Sequence, residues 1–567
     1  MIGFVCKYTP IELFEAMGEE VQRISPEVTS FVKADTYLHP NLCSYAKGAL
    51  EDILDKKYDG IVLTACCDSI RRLYDVVKEL CPDKFVYILD IPRIVNDFSI
   101  SIYEKRIREM WKAYEEFTGK TWAEKELEQA LKKILEQKRQ PEEKRPENRE
   151  RKLRVGVMGA RASKSILKVL EEQNAEVLFN LTCTGISRDF QIDKKDVFHS
   201  YADRLLNQIP CMRMEKAVNR EEYVKGFEDQ LDGIIYHTVQ FCDSYSYEYT
   251  WLKKKLDKIP VILVETDSTR QCEGQIRTRV EAFLESLRVA NGIIKNQRRK
   301  RKEEGTKMYS MGIDSGSTST NAVILDQEKK IVAFDVVRTG AKSGESAERI
   351  LECVLKKANL KQEDIDIIIS TGYGRVSIPF ADETVTEISC HGKGAHYFNP
   401  EVRTILDIGG QDSKAIKLNE KGEVKDFVMN DKCAAGTGRF LEMMARTLEI
   451  DISELGPISL EWKEDIDISS MCSVFAESEV ISLIAQNKEK CDIAHGIHKS
   501  IASKGYSLMK RVGLEGTFMM TGGVAKNPGV VKAVEEKIKS KLYICNEPEI
   551  VGAAGAALYG LEQLMEK

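Results

Sequence analysis

Two neighbouring segments of the sequence carry residues suited to phosphate and thiolate chemistry. Residues 404–414 read Thr-Ile-Leu-Asp-Ile-Gly-Gly-Gln-Asp-Ser-Lys, an apolar strand that ends in an acid and two glycines. Backbone N–H groups and a carboxylate arranged in this way can meet a phosphate and its magnesium ion. Shortly after, Cys433 precedes Ala-Ala-Gly-Thr-Gly at the expected start of a helix, whose dipole stabilises a thiolate. The two segments together predict ATP hydrolysis coupled to redox chemistry.

The strand–acid–glycine plan occurs a second time. Residues 310–321 read Ser-Met-Gly-Ile-Asp-Ser-Gly-Ser-Thr-Ser-Thr-Asn, and a hairpin follows each of the two units. A further glycine pair, Gly522-Gly523, comes after the apolar residues Met519 and Met520. Duplication of the unit predicts a two-lobed fold that holds phosphates in the cleft between its lobes.

The N-terminal half contains an internal repeat that carries cysteines. Asp-Gly-Ile precedes a loop that ends in Cys-Asp-Ser at Cys67 and again at Cys242, and the same number of residues separates Cys67 from Asp90 and Cys242 from Glu265. This repeat indicates duplication of one cysteine-bearing α/β unit. Metal ligands from equivalent loops of the two copies are expected to meet at their interface.

Length and composition set the frame for these motifs. The chain has 567 residues, 43% hydrophobic and 31% charged, which is typical of a globular protein with three or four domains. No signal peptide or membrane-spanning run is recognisable, so a cytoplasmic protein without a membrane partner is expected. The net charge of −6 argues against nucleic-acid binding. Fifteen cysteines without an export signal favour metal ligands and buried thiols over disulfides.

The order of strands, helices and charged segments predicts the domain boundaries. The expected organisation is a cysteine-bearing α/β domain, a linker, a second such domain, a second linker and an ATPase domain, at residues 1–135, 136–152, 153–289, 290–308 and 309–567. Alternating strands and helices in the first two domains predict parallel sheets of Rossmann type. One expected helix places Leu13, Met17 and Val21 on a single face.

Residues 309–567 resemble a known family. Gly312-Ile-Asp-Ser-Gly-Ser-Thr-Ser-Thr, Asp407-Ile-Gly-Gly-Gln-Asp, Lys432-Cys-Ala-Ala-Gly-Thr-Gly-Arg-Phe and Thr521-Gly-Gly-Val-Ala resemble the ATPase activators of 2-hydroxyacyl-CoA dehydratases and benzoyl-CoA reductases, which have the actin, hexokinase and Hsp70 fold. The resemblance implies a homodimer that shares one [4Fe–4S] cluster on two cysteines from each subunit, here Cys433 and Cys472.

The same resemblance implies roles in the nucleotide site. Asp314 and Asp407 would bind Mg²⁺ through water, with Gln411 or Asp412 near the attacking water. The residues expected to contact ATP or ADP are Gly312, Ser315, Gly316, Ser317, Thr318, Gly409, Gly410, Gly436, Thr437, Gly438, Gly522, Gly523 and Lys526.

Residues 1–290 resemble the cluster-bearing subunits of the dehydratases and, more closely, the double-cubane cluster proteins. The resemblance rests on His237 to Glu248 and on Glu265-Thr-Asp followed by Gly274-Gln-Ile-Arg-Thr-Arg-Val-Glu-Ala-Phe. It implies a second iron–sulfur cluster, either an [8Fe–9S] double cubane or a [4Fe–4S] cluster. The thiols in corresponding loops are Cys43, Cys66, Cys67, Cys183, Cys242 and Cys272, and Cys6 or Cys81 could replace Cys66.

These features favour an ATP-driven iron–sulfur reductase. An electron donor of ferredoxin or flavodoxin type would reduce the C-terminal cluster, and nucleotide turnover would drive the electron to the N-terminal cluster for reduction of a small molecule. An alternative makes the N-terminal half a docking and relay module for a separate 2-hydroxyacyl-CoA dehydratase. A metal-free kinase or scaffold is a third hypothesis, which the Cys433 segment disfavours. The cysteines interpreted as core residues are Cys211, Cys353, Cys390, Cys491 and Cys545.

Overall fold

The chain forms two compact units, residues 1–287 and 288–567. The computed structural model describes residues 1–137, 152–161, 163–185, 196–256, 258–269, 273–293, 307–340, 342–430, 434–468 and 473–565. The predicted α/β class is confirmed, and each unit contains two sheets. No helix in these ranges is both long and apolar enough to span a lipid bilayer.

The first unit contains two parallel four-stranded sheets with the same strand order, β2-β1-β3-β4 and β6-β5-β7-β8. The strands are β1 Ile2–Phe4, β2 Val21–Arg23, β3 Gly60–Thr64, β4 Phe85–Leu89, β5 Arg154–Gly159, β6 Glu176–Leu181, β7 Gly233–Val239 and β8 Val261–Thr266. The helices are α1 Ile11–Ala16, α2 Ala34–Tyr37, α3 Ser44–Asp55, α4 Asp68–Leu80, α5 Asp97–Thr118, α6 Glu124–Gln137, α7 Lys164–Glu172, α8 Val197–Leu206, α9 Asn219–Lys225, α10 Asp243–Lys255 and α11 Glu273–Ala290. The repeated strand order supports the duplication inferred from the sequence.

The two sheets share a hydrophobic core, so the first unit does not divide cleanly at the predicted linker 136–152. The apolar face of α6, with Leu127, Leu131 and Leu135, belongs to the same buried cluster as Phe198 of α8. The rings of Trp111 and Phe198 stack with their centroids 5.8 Å apart. Because residues from both copies bury one another, we expect the two halves to be stable only together.

The helix expected to carry Leu13, Met17 and Val21 on one face is shorter than predicted. Helix α1 ends at Ala16, and Gly18 adopts a positive φ of 85° that ends the helical path. Val21 instead begins strand β2. The spacing of four residues between Leu13, Met17 and Val21 therefore runs across two separate elements and does not mark one helical face.

The second unit contains two five-stranded sheets that repeat one topology, β11-β10-β9-β12-β13 and β16-β15-β14-β17-β18. The strands are β9 Tyr309–Ser315, β10 Ser319–Asp326, β11 Ile331–Arg338, β12 Ile367–Thr371, β13 Glu383–Thr384, β14 Val402–Ile408, β15 Ser413–Leu418, β16 Val424–Asn430, β17 Thr517–Thr521 and β18 Leu542–Tyr543. The helices are α12 Ser343–Ala358, α13 Glu387–Phe398, α14 Gly438–Thr447, α15 Ile452–Ile458, α16 Ser473–Ala485, α17 Lys490–Val512, α18 Pro528–Ile538 and α19 Val551–Met565. This arrangement confirms the two-lobed fold predicted from the repeated motif.

Candidate functional site

The two predicted acids occupy equivalent positions in the two sheets of the second unit. Asp314 lies at the end of β9 and is paired with Thr371 of the parallel strand β12. Asp407 lies near the end of β14 and is paired with Thr521 of the parallel strand β17. Both acids line one cleft of about 560 Å³. The carboxyl ends of the two central strands therefore place both carboxylates at the same cavity.

A histidine from helix α13 lies between the two acids. His391 Nε2 is 3.8 Å from Asp314 Oδ2, and its Nδ1 is 3.6 Å from Asp407 Oδ1. On the second lobe, Lys414 Nζ lies 3.3 Å from Asp407 Oδ2 and 2.7 Å from Asp412 Oδ2. Thr521 donates a hydrogen bond of 2.8 Å to Asp407 Oδ1. The charged groups thus form one buried network across the cleft.

The network gives the two carboxylates opposite pKa shifts. Burial raises the pKa of Asp314 to about 6, and the attraction of His391 opposes this shift. Burial also opposes ionisation of Asp407, but His391, Lys414 and the Thr521 hydrogen bond outweigh it and lower the pKa of that carboxyl. Asp407 is therefore ionised at neutral pH, whereas Asp314 titrates close to it.

The loops that face this network fit a nucleotide phosphate. Gly522 has a φ of 83°, and a Cβ there would lie 2.4 Å from the carbonyl oxygen of Ile408. A Cβ on Gly410 would lie 1.9 Å from Thr318 Oγ1, so the two phosphate loops touch. Within the described ranges the buried Oγ1 of Thr318, which lines the cleft, has no hydrogen-bond partner. A phosphate group can approach the backbone closely at these glycines. It can also accept hydrogen bonds from hydroxyl groups that have no other partner.

Most residues predicted to contact nucleotide line this cleft. They are Asp314, Gly316, Ser317, Thr318, Asp407, Gly409, Gly410, Asp412, Gly438, Gly522, Gly523 and Lys526. Helix α14 begins beside them, because Thr437 is its N-cap and the Gly438 N–H donates to the Gly409 carbonyl at 2.9 Å.

Five other predicted residues do not line the cleft. Gly312 packs against helix α19, where an added Cβ would lie 2.0 Å from the Ala553 carbonyl oxygen. Gln411 is exposed, and its carboxamide oxygen accepts from Arg439 Nη2 at 2.8 Å. Gly436 and Thr437 also do not line the cleft, and Gly436 lies against Lys504. Ser315 is likewise absent from the lining, although its backbone precedes the loop.

Sequence reasoning missed several charged side chains of the cleft, among them Glu387, His391 and Lys414. Glu387 begins helix α13 and is buried, and its Oε1 has no hydrogen-bond partner within the described ranges. His391 follows one helical turn later on the same face. The signal available was the Glu-x-x-x-His spacing, but only the tertiary structure shows that this helix faces both acids.

The second candidate site is a cavity of about 90 Å³ in the first unit, surrounded by thiols. Its lining contains Cys6, Cys43, Cys66, Cys67, Cys183, Cys211 and Cys242. All of these cysteines except Cys211 follow strands of the two sheets or directly precede helices. Cys43, Cys67 and Cys242 are the N-cap residues of α3, α4 and α10. The duplicated copies therefore contribute thiols to one cavity, as the repeat predicts.

The thiols approach one another in pairs. Hydrogen bonds link Cys43 to Cys242, Cys66 to Cys67 and Cys183 to Cys211. The bond from Cys66 lowers the pKa of Cys67 to about 6, and Arg213 acts in the same direction. The Tyr245 hydroxyl lies 3.1 Å from Cys183 Sγ and 3.2 Å from Cys211 Sγ. One thiol of a pair is thus prepared to ionise, which metal binding requires.

The arrangement of the thiols suits a polynuclear iron–sulfur group. Across the described ranges, no three Cys, His, Asp or Glu side chains converge on a point that would hold a single metal ion. Seven thiols line one common cavity. Thiolates spread around a volume are the donor set of a cluster, whose several irons each take one or more terminal sulfurs.

Some predicted ligands are placed elsewhere or lie outside the described residues. Cys272, Cys433 and Cys472 fall outside the described ranges, as do residues 431–433 and 469–472 around the latter two. Cys81 ends helix α4 within an apolar cluster and does not line the cavity. Cys211, interpreted from the sequence as a core residue, does line it. It follows Pro210 in a loop with no marked counterpart in the first copy, so the repeat gave no signal for it.

The two halves of the chain match two different protein families. Residues 311–560 match the BadF/BadG/BcrA/BcrD ATPase family. Residues 6–143 and 130–287 each match the family of the 2-hydroxyglutaryl-CoA dehydratase D-component. Two matches to one family fit the repeated sheet topology.

Individual relatives show the same division. The activator of lactoyl-CoA dehydratase from Anaerotignum propionicum is 49% identical over 260 residues, which cover 46% of this chain and 100% of the relative. The (R)-phenyllactyl-CoA dehydratase beta subunit from Clostridium sporogenes is 26% identical over 346 residues, covering 50% of this chain and 91% of the relative. The solved activator of 2-hydroxyisocaproyl-CoA dehydratase from Clostridium difficile, with bound ADPNP, is 46% identical, covers 46% of this chain and 96% of its own, and has a TM-score of 0.44.

Proposed function

The chain belongs to the BadF/BadG/BcrA/BcrD ATPase family through residues 311–560, and from this premise we propose that it is an ATP-driven iron–sulfur reductase. Its C-terminal unit hydrolyses ATP. The proposed coupling uses that hydrolysis to move electrons from a [4Fe–4S] cluster of the C-terminal unit to an iron–sulfur cluster in the N-terminal unit. The observation that carries the proposal is the cavity of seven thiols in the same chain as an activator-type ATPase.

The cleft residues divide the work of hydrolysis. Asp407 is held ionised by Lys414 and His391, and together with Asp314 it would accept hydrogen bonds from the water shell of Mg²⁺. The glycine loops, of which Gly410 and Gly523 line the cleft, would present backbone N–H groups to phosphate oxygens. The buried Glu387 oxygen lines the same cleft and can receive a proton from the attacking water. Positioning and charge neutralisation are the main requirements of phosphoryl transfer.

The N-terminal residues hold and shield the electron acceptor. Thiols from both sheets would ligate the iron, and a bound cluster would supply a one-electron acceptor of low potential. The Tyr245 hydroxyl lies within hydrogen-bond distance of the Cys183 and Cys211 sulfurs, and apolar side chains such as Ile70 and Ile91 exclude water from the cavity. Whether the group is a double cubane or a single cubane depends on how many of the thiols bind.

The proposed C-terminal cluster requires four thiolate ligands and an electron donor. Cys433 and Cys472 would each contribute to one [4Fe–4S] cluster shared by two copies of the chain, because two thiols from one subunit cannot complete a four-thiolate site. A ferredoxin or flavodoxin type of donor would reduce this cluster. The helices that begin at Gly438 and Ser473 follow these cysteines in the sequence.

A second candidate function is supported by the names of the relatives. The proteins that match the C-terminal half include the activators of 2-hydroxyisocaproyl-CoA dehydratase and lactoyl-CoA dehydratase. This chain could likewise activate a separate dehydratase, with its N-terminal unit as a docking and relay module. Under that function, ATP-dependent turnover of a small molecule would require the separate dehydratase, whereas the reductase function requires only this chain and its electron donor.

The decisive measurement is electron paramagnetic resonance of the intact chain, prepared anaerobically. We expect the N-terminal centre to be reduced only when a low-potential reductant and hydrolysable ATP are both present. The Asp407→Ala variant is the matched control, since it should keep both clusters but lose the effect of ATP. Full reduction of both centres without nucleotide would exclude the coupling.

A further inference from the structure

One wall of the thiol cavity carries the guanidinium group of Arg213. Its Nη1 lies 3.8 Å from Cys211 Sγ and its Nη2 lies 3.9 Å from Cys242 Sγ. The guanidinium carbon sits 5.4 Å from the centre of the Tyr245 ring, whose hydroxyl also faces two sulfurs. Within the described ranges, the buried Nε of Arg213 has no hydrogen-bond partner. The charge of this side chain is therefore directed at sulfur atoms.

Three other cations near the cavity, Lys7, Arg161 and Arg23, are engaged by backbone carbonyls. Lys7 Nζ donates to the Ile209 carbonyl. Arg161 Nη2 donates to the Ile24 carbonyl at 3.2 Å, and its guanidinium lies 4.1 Å from the centre of the Tyr45 ring. Arg23 Nη1 donates to the Val5 and Cys183 carbonyls at 3.2 and 3.1 Å. These cations hold the loops together, whereas Arg213 spans sulfurs from two loops, at Cys211 and at the N-cap of α10.

A cation in this position acts on redox equilibrium. Each one-electron reduction adds a negative charge to a thiolate-ligated group, and a fixed positive charge in a dry cavity stabilises the more negative state. Partners outside the metal's own ligands regularly set its electronic properties. An arginine stays protonated in this role over the whole physiological pH range.

We propose that Arg213 is a positioning residue that raises the reduction potential of the iron–sulfur group in this cavity, without itself binding iron. The inference rests on the proposed function. The step concerned is a single electron transfer, in which the reduced C-terminal centre loses one electron and the N-terminal group gains it. No atom is transferred and no bond is broken. Arg213 lowers the free-energy difference that nucleotide hydrolysis has to overcome.

The test is an anaerobic redox titration of the intact chain, followed by electron paramagnetic resonance. The N-terminal signal is defined as the component that Cys211→Ser abolishes. Arg213→Gln should make one-electron reduction less favourable by about tenfold, a midpoint shift of about 59 mV to lower potential. Arg213→Lys keeps the charge and should shift the potential less than half as far. Arg161→Gln removes another cation of the cavity lining and should also shift the midpoint less than half as far.

Three results would overturn the inference. An unchanged midpoint in Arg213→Gln with full iron content removes Arg213 from the redox equilibrium but leaves the proposed function intact. An equal shift in Arg161→Gln means that any nearby charge suffices. Arg213→Gln could lose its iron while circular dichroism shows a folded chain. In that case, retention of iron by Arg213→Lys supports a requirement for positive charge at this position. Loss of iron in both variants overturns that requirement. An N-terminal unit that binds no iron in the parent chain would instead overturn the proposed function itself, and this inference with it.

Discussion

Gly410 lies directly against Thr318, so that a Cβ atom on Gly410 would come 1.9 Å from Thr318 Oγ1. Gly410 follows β14 and Thr318 follows β9, and the contact therefore joins the equivalent loops of the two lobes. Both loops line the cleft that holds Asp314 and Asp407. This contact between Gly410 and Thr318 determines the distance between the two loops that are expected to hold the phosphates.

Replacement of Gly410 by alanine should weaken nucleotide binding. The methyl group forces Thr318 and its loop away, and overpacking of this kind costs about 1–3 kcal/mol. We expect the dissociation constant for ADP, measured by isothermal titration calorimetry with Mg²⁺, to rise by about tenfold or more. Gly340→Ala is the control, because an added Cβ there has its nearest neighbour at 3.9 Å. Equal affinity in the two variants would show that the loop contact does not control binding.

Asp407→Ala should nearly abolish ATP hydrolysis. The substitution removes the carboxylate that Lys414, His391 and Thr521 hold in place, and loss of such an electrostatic group costs about 10²–10³ in rate. Steady-state phosphate release by the intact chain measures the effect. Thr521→Val removes a single hydrogen bond to the same carboxylate and should cost less than Asp407→Ala. A variant that hydrolyses ATP at the parent rate would exclude Asp407 from the mechanism.

The pKa of Asp314 predicts how hydrolysis depends on pH. Burial raises this pKa to about 6, so the carboxyl is ionised above pH 6 and becomes protonated as the pH falls below it. A protonated Asp314 cannot accept a hydrogen bond from magnesium-bound water. The rate at low nucleotide concentration should therefore fall on the acidic side of about pH 6. Asp314→Asn should have a low rate without this acidic limb, and persistence of the limb in that variant would assign it to another group.

Much of the fold follows from local sequence patterns. The strands that lead to Asp314 and Asp407 were located because each is an apolar run that ends in an acid and glycines. The repeat of Asp-Gly-Ile and Cys-Asp-Ser located β3, β7 and the helices after them. The length of α1 was not predictable from apolar spacing alone, since a turn at Gly18 interrupts the pattern.

The candidate sites were less accessible to sequence reasoning, because their members come from distant elements. His391 and Glu387 lie on a helix whose orientation toward the cleft is a tertiary property. Cys211 and Arg213 lie in a loop outside the repeated motif, yet packing of α8 and α10 brings them to the cavity. Local pattern identifies a strand end or a helix cap, whereas convergence of side chains depends on the packing of whole elements.

Removal of Cys433 should reveal whether the C-terminal cluster is shared. If one [4Fe–4S] cluster bridges two copies of the chain, Cys433→Ser should cost about four iron atoms per dimer. Iron and acid-labile sulfide analysis of the anaerobic protein, with sedimentation equilibrium, measures both quantities. Cys353→Ser is the control, since Cys353 is exposed on helix α12 and was not predicted to bind iron. A loss of about eight iron atoms, or of none, contradicts the shared cluster.

A cysteine that lines the cavity should respond to substitution differently from a cysteine that only packs in the apolar core. Cys211 and Cys81 are both buried, free cysteines of the first unit, but Cys211 lines the cavity and Cys81 packs among aliphatic side chains. A serine at either position buries a hydroxyl and should reduce stability by about 1–3 kcal/mol. Cys211→Ser should in addition lower the iron content of the N-terminal unit, because serine replaces a thiolate ligand with a hydroxyl that binds iron poorly. Cys81→Ser should retain its iron at an equal loss of melting temperature. Iron analysis paired with thermal unfolding of each variant distinguishes the two effects, and equal iron content in both variants would return Cys211 to the role of a core residue.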